Sequence, residues 1–200
     1  MSLLTIAEGL AKSVGLPIPD SVIGSTDRSW KEVAEHANAA GEELARRVDW
    51  GQLTASTTLT GDGSDLAHSL PSGISRLAKG VAVTSAGGTV RPLTQAEWAS
   101  LASVEGVPRY FILREDILRL WPYLANAATV TVTYQTGNWC SNGTGAFTAD
   151  DDTSLIDEEL FLKALEVRWR RQKGMEFADQ EAEYEAALQD YARNNDRSRL

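Results

Sequence analysis

A helix that is apolar around more than half its circumference needs cover on two sides, and one segment of this chain has that character. Between Leu155 and Lys173, Ile156, Leu160, Ala164 and Val167 form one stripe at helical spacing. Phe161, Leu162, Leu165 and Trp169 form a second. A surface helix of a self-contained domain normally buries a single stripe about 100° wide. The second stripe therefore calls for a neighbour, and Phe161, Leu162 and Leu165 are the expected subunit–subunit contacts. Gly174 breaks the pattern. Beyond it, from Glu176 to Arg193, a mostly charged helix carries only Phe177, Tyr184, Leu188 and Tyr191. That stripe is too thin to make a core and suited to docking on another protein.

The other end of the chain is helical too. Leu3, Ile6, Ala7, Leu10, Ala11 and Val14 repeat at helical spacing until Gly15. A second helix starts after Thr26 or Asp27, either of which can cap it. It carries Trp30, Val33, Ala34, Ala37, Leu44, Ala45 and Val48 on one face. From Asp49 the pattern changes. The segment around "LTASTTLT" alternates and reads as a strand. Residues 61–77 have loop chemistry, and residues 80–93 read as a β-hairpin turning at Gly87-Gly88. Thr94 and Glu97 make a capping box for a short helix. "RYFILRED" and "DILRLWP" are short strands, "ATVTVTYQT" is a strong one, and residues 137–153 form a long polar loop. The order predicts an α+β fold. A helical bundle over residues 1–50 and 154–174 carries an inserted β-rich lobe over 51–153, and residues 175–200 dock on a partner.

Chemistry is sparse. Cys140 stands alone, so an internal disulfide is excluded and a reducing compartment fits. His36 and His68 have no partner at metal-ligand spacing. Asp150-Asp151-Asp152 with Asp157, Glu158 and Glu159 lacks the spacing and central glycine of a calcium loop; it reads as a solvated run before a helix N-terminus. No catalytic residue, metal site or cofactor is assigned. A small hydrolase using Cys140 or a carboxylate is the enzymatic alternative, and a nucleic-acid-binding regulator is another. The net charge of −9 and pI near 4.8 oppose the latter. The N-terminus has no basic region and Glu8 interrupts its apolar run, so it is not a signal peptide. No apolar run approaches the ~20 residues that span a bilayer. The cluster Arg168, Arg170, Arg171 and Lys173 either complements a helix dipole or meets an acidic partner.

These segments, in this order, resemble the head–tail adaptor (head completion, or neck) proteins of tailed bacteriophages and gene transfer agents. The similarity runs through Gly15-Leu16-Pro17-Ile18-Pro19, the helix ending Glu43-Leu44-Ala45-Arg46-Arg47-Val48-Asp49-Trp50, and "RPLTQAEWASL". It continues through the strands around Pro122 to Tyr134 and the terminal helix pair. One loop departs: Leu70, Pro71 and Arg76 match, but Gly73-Ile74 replace an Asp-Phe pair. The resemblance implies a structural protein of the virion neck, made in the host cytoplasm. It implies a ring, usually of twelve copies, beneath the portal protein, with stopper or tail proteins below and double-stranded DNA passing through the lumen without specific binding. Portal contacts would then be Arg168, Trp169, Arg170, Arg171, Phe177, Tyr184, Leu188 and Tyr191. Tail-side loops would present Asp62, Asp65, Gly87 and Gly88. No membrane partner is implied.

Overall fold

The computed structural model describes residues 1–64 and 66–197. In chain order its elements are α1 (Leu3–Val14), α2 (Arg28–Arg47), β1 (Thr54–Thr60), β2 (Ala67–Ser69), β3 (Ile74–Leu77), β4 (Val83–Ser85), β5 (Gly88–Thr89), β6 (Arg91–Pro92) and α3 (Gln95–Ala99). There follow β7 (Glu105–Gly106), β8 (Tyr110–Arg114), β9 (Ile117–Trp121), β10 (Tyr123–Leu124), β11 (Thr129–Thr136), α4 (Glu158–Gln172) and α5 (Ala178–Arg197). The fold is α+β, with helices at both ends of the chain. It divides into a helical unit, Met1–Leu53 with Gly137–Leu200, and a β unit, Thr54–Thr136.

The helices of the helical unit begin and end where local chemistry directs. Ser2 caps α1 by accepting from the Thr5 N–H, and Gly15 closes it at φ 75°, a left-handed conformation that glycine adopts without strain. Of the two residues able to cap α2, Asp27 does so: its carboxylate accepts from the Ser29 N–H at 2.7 Å. Asp157 caps α4 through the Leu160 N–H, so this helix starts three residues later than its apolar pattern does.

Both stripes of α4 are covered within the chain. It packs against α1, α2 and α5. Phe161 and Leu165 have no exposed surface, and Leu160, Ala164, Val167 and Trp169 are buried. Leu162 is half-buried against Gly9 of α1. The expectation that a neighbouring subunit covers Phe161 and Leu165 is thereby corrected: two helices from the N-terminus and one from the C-terminus occupy the space, while Leu162 keeps part of its surface exposed.

Residues 137–153 belong with the helices rather than with the β lobe in which they were placed. Trp139 and Phe147 enter the helical core and meet Phe161, with ring centroids 4.8–5.6 Å apart. Gly41 makes room: a Cβ there would lie 2.3 Å from Cζ2 of Trp139. The polar residues of this stretch tie it down. Asp150 accepts from the backbone N–H groups of Val22 and Ile23 at 3.0 and 2.7 Å and from the Ser21 hydroxyl at 2.6 Å. Asp152 accepts from the N–H groups of Thr148 and Ala149 and from the Asn142 amide. The last helix is not a free arm either. Tyr184 and Leu188 of α5 are each 4% exposed within the helical core, and Tyr191 stacks on Trp50 at 4.4 Å.

In the β unit, β11 is the central strand. It pairs antiparallel with β1 along its length, and with β4 and β3 on its other edge; β5 extends the sheet from β4. Val130 and Val132 point into the core while Thr129 and Thr131 face out, as strand alternation requires. A second sheet runs β2-β9-β8-β6, and β7 pairs with β10. Val83, Phe111, Leu118, Leu120, Leu124, Val130 and Val132 make this unit's own core. Two details differ from expectation. Residues 61–77 hold β2 and β3, three and four residues long, whose register comes from the partners β9 and β11 rather than from any local pattern. The hairpin turns at Ala86-Gly87, since Ser85 faces Gly88 across the ladder.

Candidate functional site

The basic residues expected to meet a partner line the junction of α4 and α5, and each already has a carboxylate. Arg168 pairs with Glu43 of α2. Arg170 pairs with Glu166 one turn earlier at 2.8 Å, and also reaches the Glu176 carbonyl. Arg171 pairs with Glu181 and lies 5.1 Å over the Phe177 ring. Lys173 pairs with Glu32 and sits over Trp169 at 4.5 Å. Below them runs a second set of pairs. Arg47 makes a two-pronged contact with Glu185, 2.6 Å on each side, and a longer one with Glu43. That bond holds the Glu185 carboxyl below its usual range and the Arg47 guanidinium firmly charged. Burial, with the Glu43 charge second, pushes the Tyr184 phenol up to about 12, so it remains a neutral donor to Glu43. Sequence reading missed Glu43, Arg47 and Glu185. Only Glu43 and Arg47, four apart on one helix, carry a local signal; Glu43 and Arg168 are 125 residues apart.

The structure brings Arg171 and Phe177 together, while Arg168 and Arg170, two apart on α4, turn to different sides of the helix, toward Glu43 and Glu166. It sets Trp169, Tyr184 and Leu188 in the core, and leaves Tyr191 half-buried on Trp50. In the β unit, Asp62, Gly87 and Gly88 are exposed. Asp65 lies outside the described residues.

The groups weighed for catalysis do not form a constellation. Cys140 is 1% exposed, and burial raises its thiol above the ordinary value, away from the thiolate a nucleophile needs. His36 is hydrogen-bonded to Gln172, and His68 belongs to the other unit. Among the described residues, no group of three or more His, Cys, Asp or Glu side chains is placed to hold a metal ion. Asp150 and Asp152 spend their oxygens on the chain's own donors. Burial raises Asp150, yet the Ser21 hydroxyl and two N–H groups hold it below the usual carboxylate range. Backbone and side-chain donors hold Asp152 low as well. No helix among the described residues is long and apolar enough to cross a membrane.

Paired charges over a closed core do not by themselves name a role, and comparison with known families supplies one. The family model for the SU10 adaptor protein matches residues 5–200, which takes in both units. The chain belongs to the SU10 adaptor family. These are head–tail adaptors of bacteriophages, so this adaptor is a structural phage protein that works among head–tail components. Comparison with curated proteins gives no match.

Proposed function

We propose that this adaptor forms a closed ring, of twelve copies, beneath the portal protein in the neck of a tailed phage or gene transfer agent. The ring prolongs the DNA channel, helps retain packaged DNA and offers the platform for stopper or tail proteins. Family membership across 5–200 carries the reading, because it applies to the whole chain and not to one unit. The net charge of −9 supports passage of DNA without binding, since affinity for phosphate comes from cations that release its counterions and here acidic groups outnumber them.

The α4–α5 junction faces the portal. Arg168, Arg170, Arg171 and Phe177 make the contact, and Trp169, Tyr184, Leu188 and Tyr191 hold that face in shape from beneath. Docking exchanges Glu43, Glu166 and Glu181 for carboxylates of the portal, so ion pairs are replaced and not created. The loop at Asp62 and the hairpin end at Gly87 and Gly88 face the tail.

Electron microscopy of lysates from a null mutant tests the assignment. Capsid assembly and packaging precede the ring, so tail-less heads should accumulate, some of them emptied, with free tails if the tail is long. Normal tailed particles would overturn the proposal. A lack of DNA-filled heads would move the function upstream to packaging.

A further inference from the structure

Charge is divided unevenly between the two units. The β unit holds six Lys and Arg residues against six Asp and Glu, so the helical unit carries the whole net charge of −9. Within the neutral unit, Arg91 and Arg109 stand together. The Arg91 N–H donates to the Arg109 carbonyl at 2.9 Å, and Arg91 is in register with Tyr110 across the parallel β6–β8 pair. The Arg109 N–H is held in turn by the Trp121 carbonyl at 2.9 Å. Both arginines are exposed. With Gly87, Thr89, Val107 and Tyr110 they line a hollow of about 460 Å³. A second hollow, about 400 Å³, lies on the other side of Val107 and is walled by apolar groups that include Ala86, Pro108 and Leu124. Val107, the shared wall, is 50% exposed.

A cationic hollow beside an apolar one fits a protein segment in which an apolar side chain is flanked by carboxylates. Nucleic acid would engage the arginines and leave the apolar hollow open to water. The chain itself carries a matching segment. Leu155 of the helical unit is 39% exposed and lines a separate cleft with Glu158 and Glu159, whose side chains are 52% and 80% exposed.

We infer that the Arg91–Arg109 hollow and its apolar neighbour receive the Leu155–Glu159 segment of a second copy of this chain. The contact joins two different patches, so it is heterologous and propagates around an axis until it closes. The inference rests on the ring reading and supplies its subunit interface. It also narrows the tail-facing candidates to the Asp62 loop, since Gly87 lines the hollow.

The test is a charge swap in the full-length chain, scored by complementation of a null mutant and by micrographs of the necks. The double variant R91E/R109E should keep its melt yet lower the yield of tailed particles about a hundredfold. E158R/E159R should lower the yield likewise, with a slightly lower melt because cations replace carboxylates in the first turn of α4. The fourfold variant that carries both changes should recover to within about tenfold of wild type, because every interface then has both partners reversed. R114E, at an exposed arginine outside the hollow, should be neutral. A ring present in wild-type necks with no recovery in the fourfold variant would overturn this interface and leave the ring reading standing. Wild-type necks without a ring would overturn both. Salt-sensitive binding of duplex DNA that R91E/R109E abolishes would assign the hollow to nucleic acid instead, as would wild-type yield from the double variant together with loss of that binding. Wild-type yield with no DNA binding in either protein would overturn the interface outright.

Discussion

The helical unit and the β unit solve the same problem, burying apolar surface, by different means. The helical unit gathers segments from both ends of the chain around Trp50, Trp139 and Phe161, all fully buried, and fastens them with ion pairs such as Arg47–Glu185 and Arg168–Glu43. The β unit is one continuous segment whose core is mostly Val, Leu and Phe111, ordered by strand register around β11. One unit depends on pieces far apart in sequence and carries the acidic surface; the other is neutral and self-contained. Stability and net charge therefore respond to change at different places, and the contrast can be broken or sharpened by experiment.

The largest effect should come from ending the chain after Gly174. That removes Tyr184 and Leu188 from the core and Tyr191 from Trp50. Each large buried side chain contributes about 1.5–3 kcal/mol, so a loss of about 5 kcal/mol is expected. That is much of what holds a domain of this size folded, typically about 5–15 kcal/mol. Hydrogen exchange should show the helical unit opening while the β unit keeps its protection. An unchanged melt would mean that α5 is the detachable arm its thin stripe suggests.

Next come two glycines, one in each unit. Alanine in place of glycine in a helix ordinarily gains about 1 kcal/mol. At Gly41 the new Cβ would lie 2.3 Å from the Trp139 ring, and at Gly61 it would lie 2.3 Å from Cβ of Leu124 and 2.6 Å from the Ala125 carbonyl oxygen. Overpacking of this kind costs about 1–3 kcal/mol. G41A should destabilise the helical unit by about 2 kcal/mol, and G61A the β unit by a similar amount. At Gly9 a Cβ meets only the flexible end of Leu162, at 3.2 Å, so G9A should be close to neutral. Equal loss of protection in both units from either of the first two variants would show that the units unfold as one.

What the sequence made legible follows from range. Elements with strong local patterns read correctly: α1 up to Gly15, α2, the Thr94–Glu97 capping box, β8, β9 and β11. Reading failed where the partner is distant. β2 and β3 are too short to show alternation. Residues 137–153 look like solvent-facing loop because Trp139 and Phe147 are only two apolar anchors among polar residues. The width of the α4 stripe was visible, but periodicity says how much surface needs cover and not whose surface supplies it. The site followed the same rule. Arg168, Arg170 and Arg171 were legible as a cluster, while their neutralisation by Glu43, Glu166 and Glu181 was not, since two of those three partners come from other helices.

Acid should separate the units by a smaller margin. Asp150, Asp152 and Glu185 lie in the helical unit, and each is held below its ordinary value by hydrogen bonds. A carboxyl depressed in the folded state contributes stability that is present above its unfolded pKa, near 4, and is lost as pH falls through the folded value. In the β unit the lowered carboxyl is Glu97, held by Thr94 on a surface helix. Below about pH 4 the helical unit should lose exchange protection first. If the β unit opened first, the carboxylates tying down residues 148–152 would matter less to folding than their hydrogen bonds suggest.

The smallest effect on stability should come from the arginines that sequence reading singled out. Arg171 and Glu181 are 56% and 41% exposed, and exposed pairs contribute about 0–1 kcal/mol. Arg168 and Glu43 are about one-third exposed, and Arg170 and Glu166 less than one-fifth. Replacing each arginine by alanine should therefore cost least at Arg171 and most at Arg170, with Arg171 within about 1 kcal/mol of wild type. If this face meets the portal, attachment should follow the opposite order, because the most exposed guanidinium is the one free to change partners. R171A should then melt almost as wild type yet attach poorly to purified heads, and R170A should melt lower yet lose less of its attachment than R171A does. Attachment that falls in the same order as stability would mean that the arginines serve the fold alone, as fasteners between α4, α2 and α5. The portal would then be met elsewhere on the helical unit.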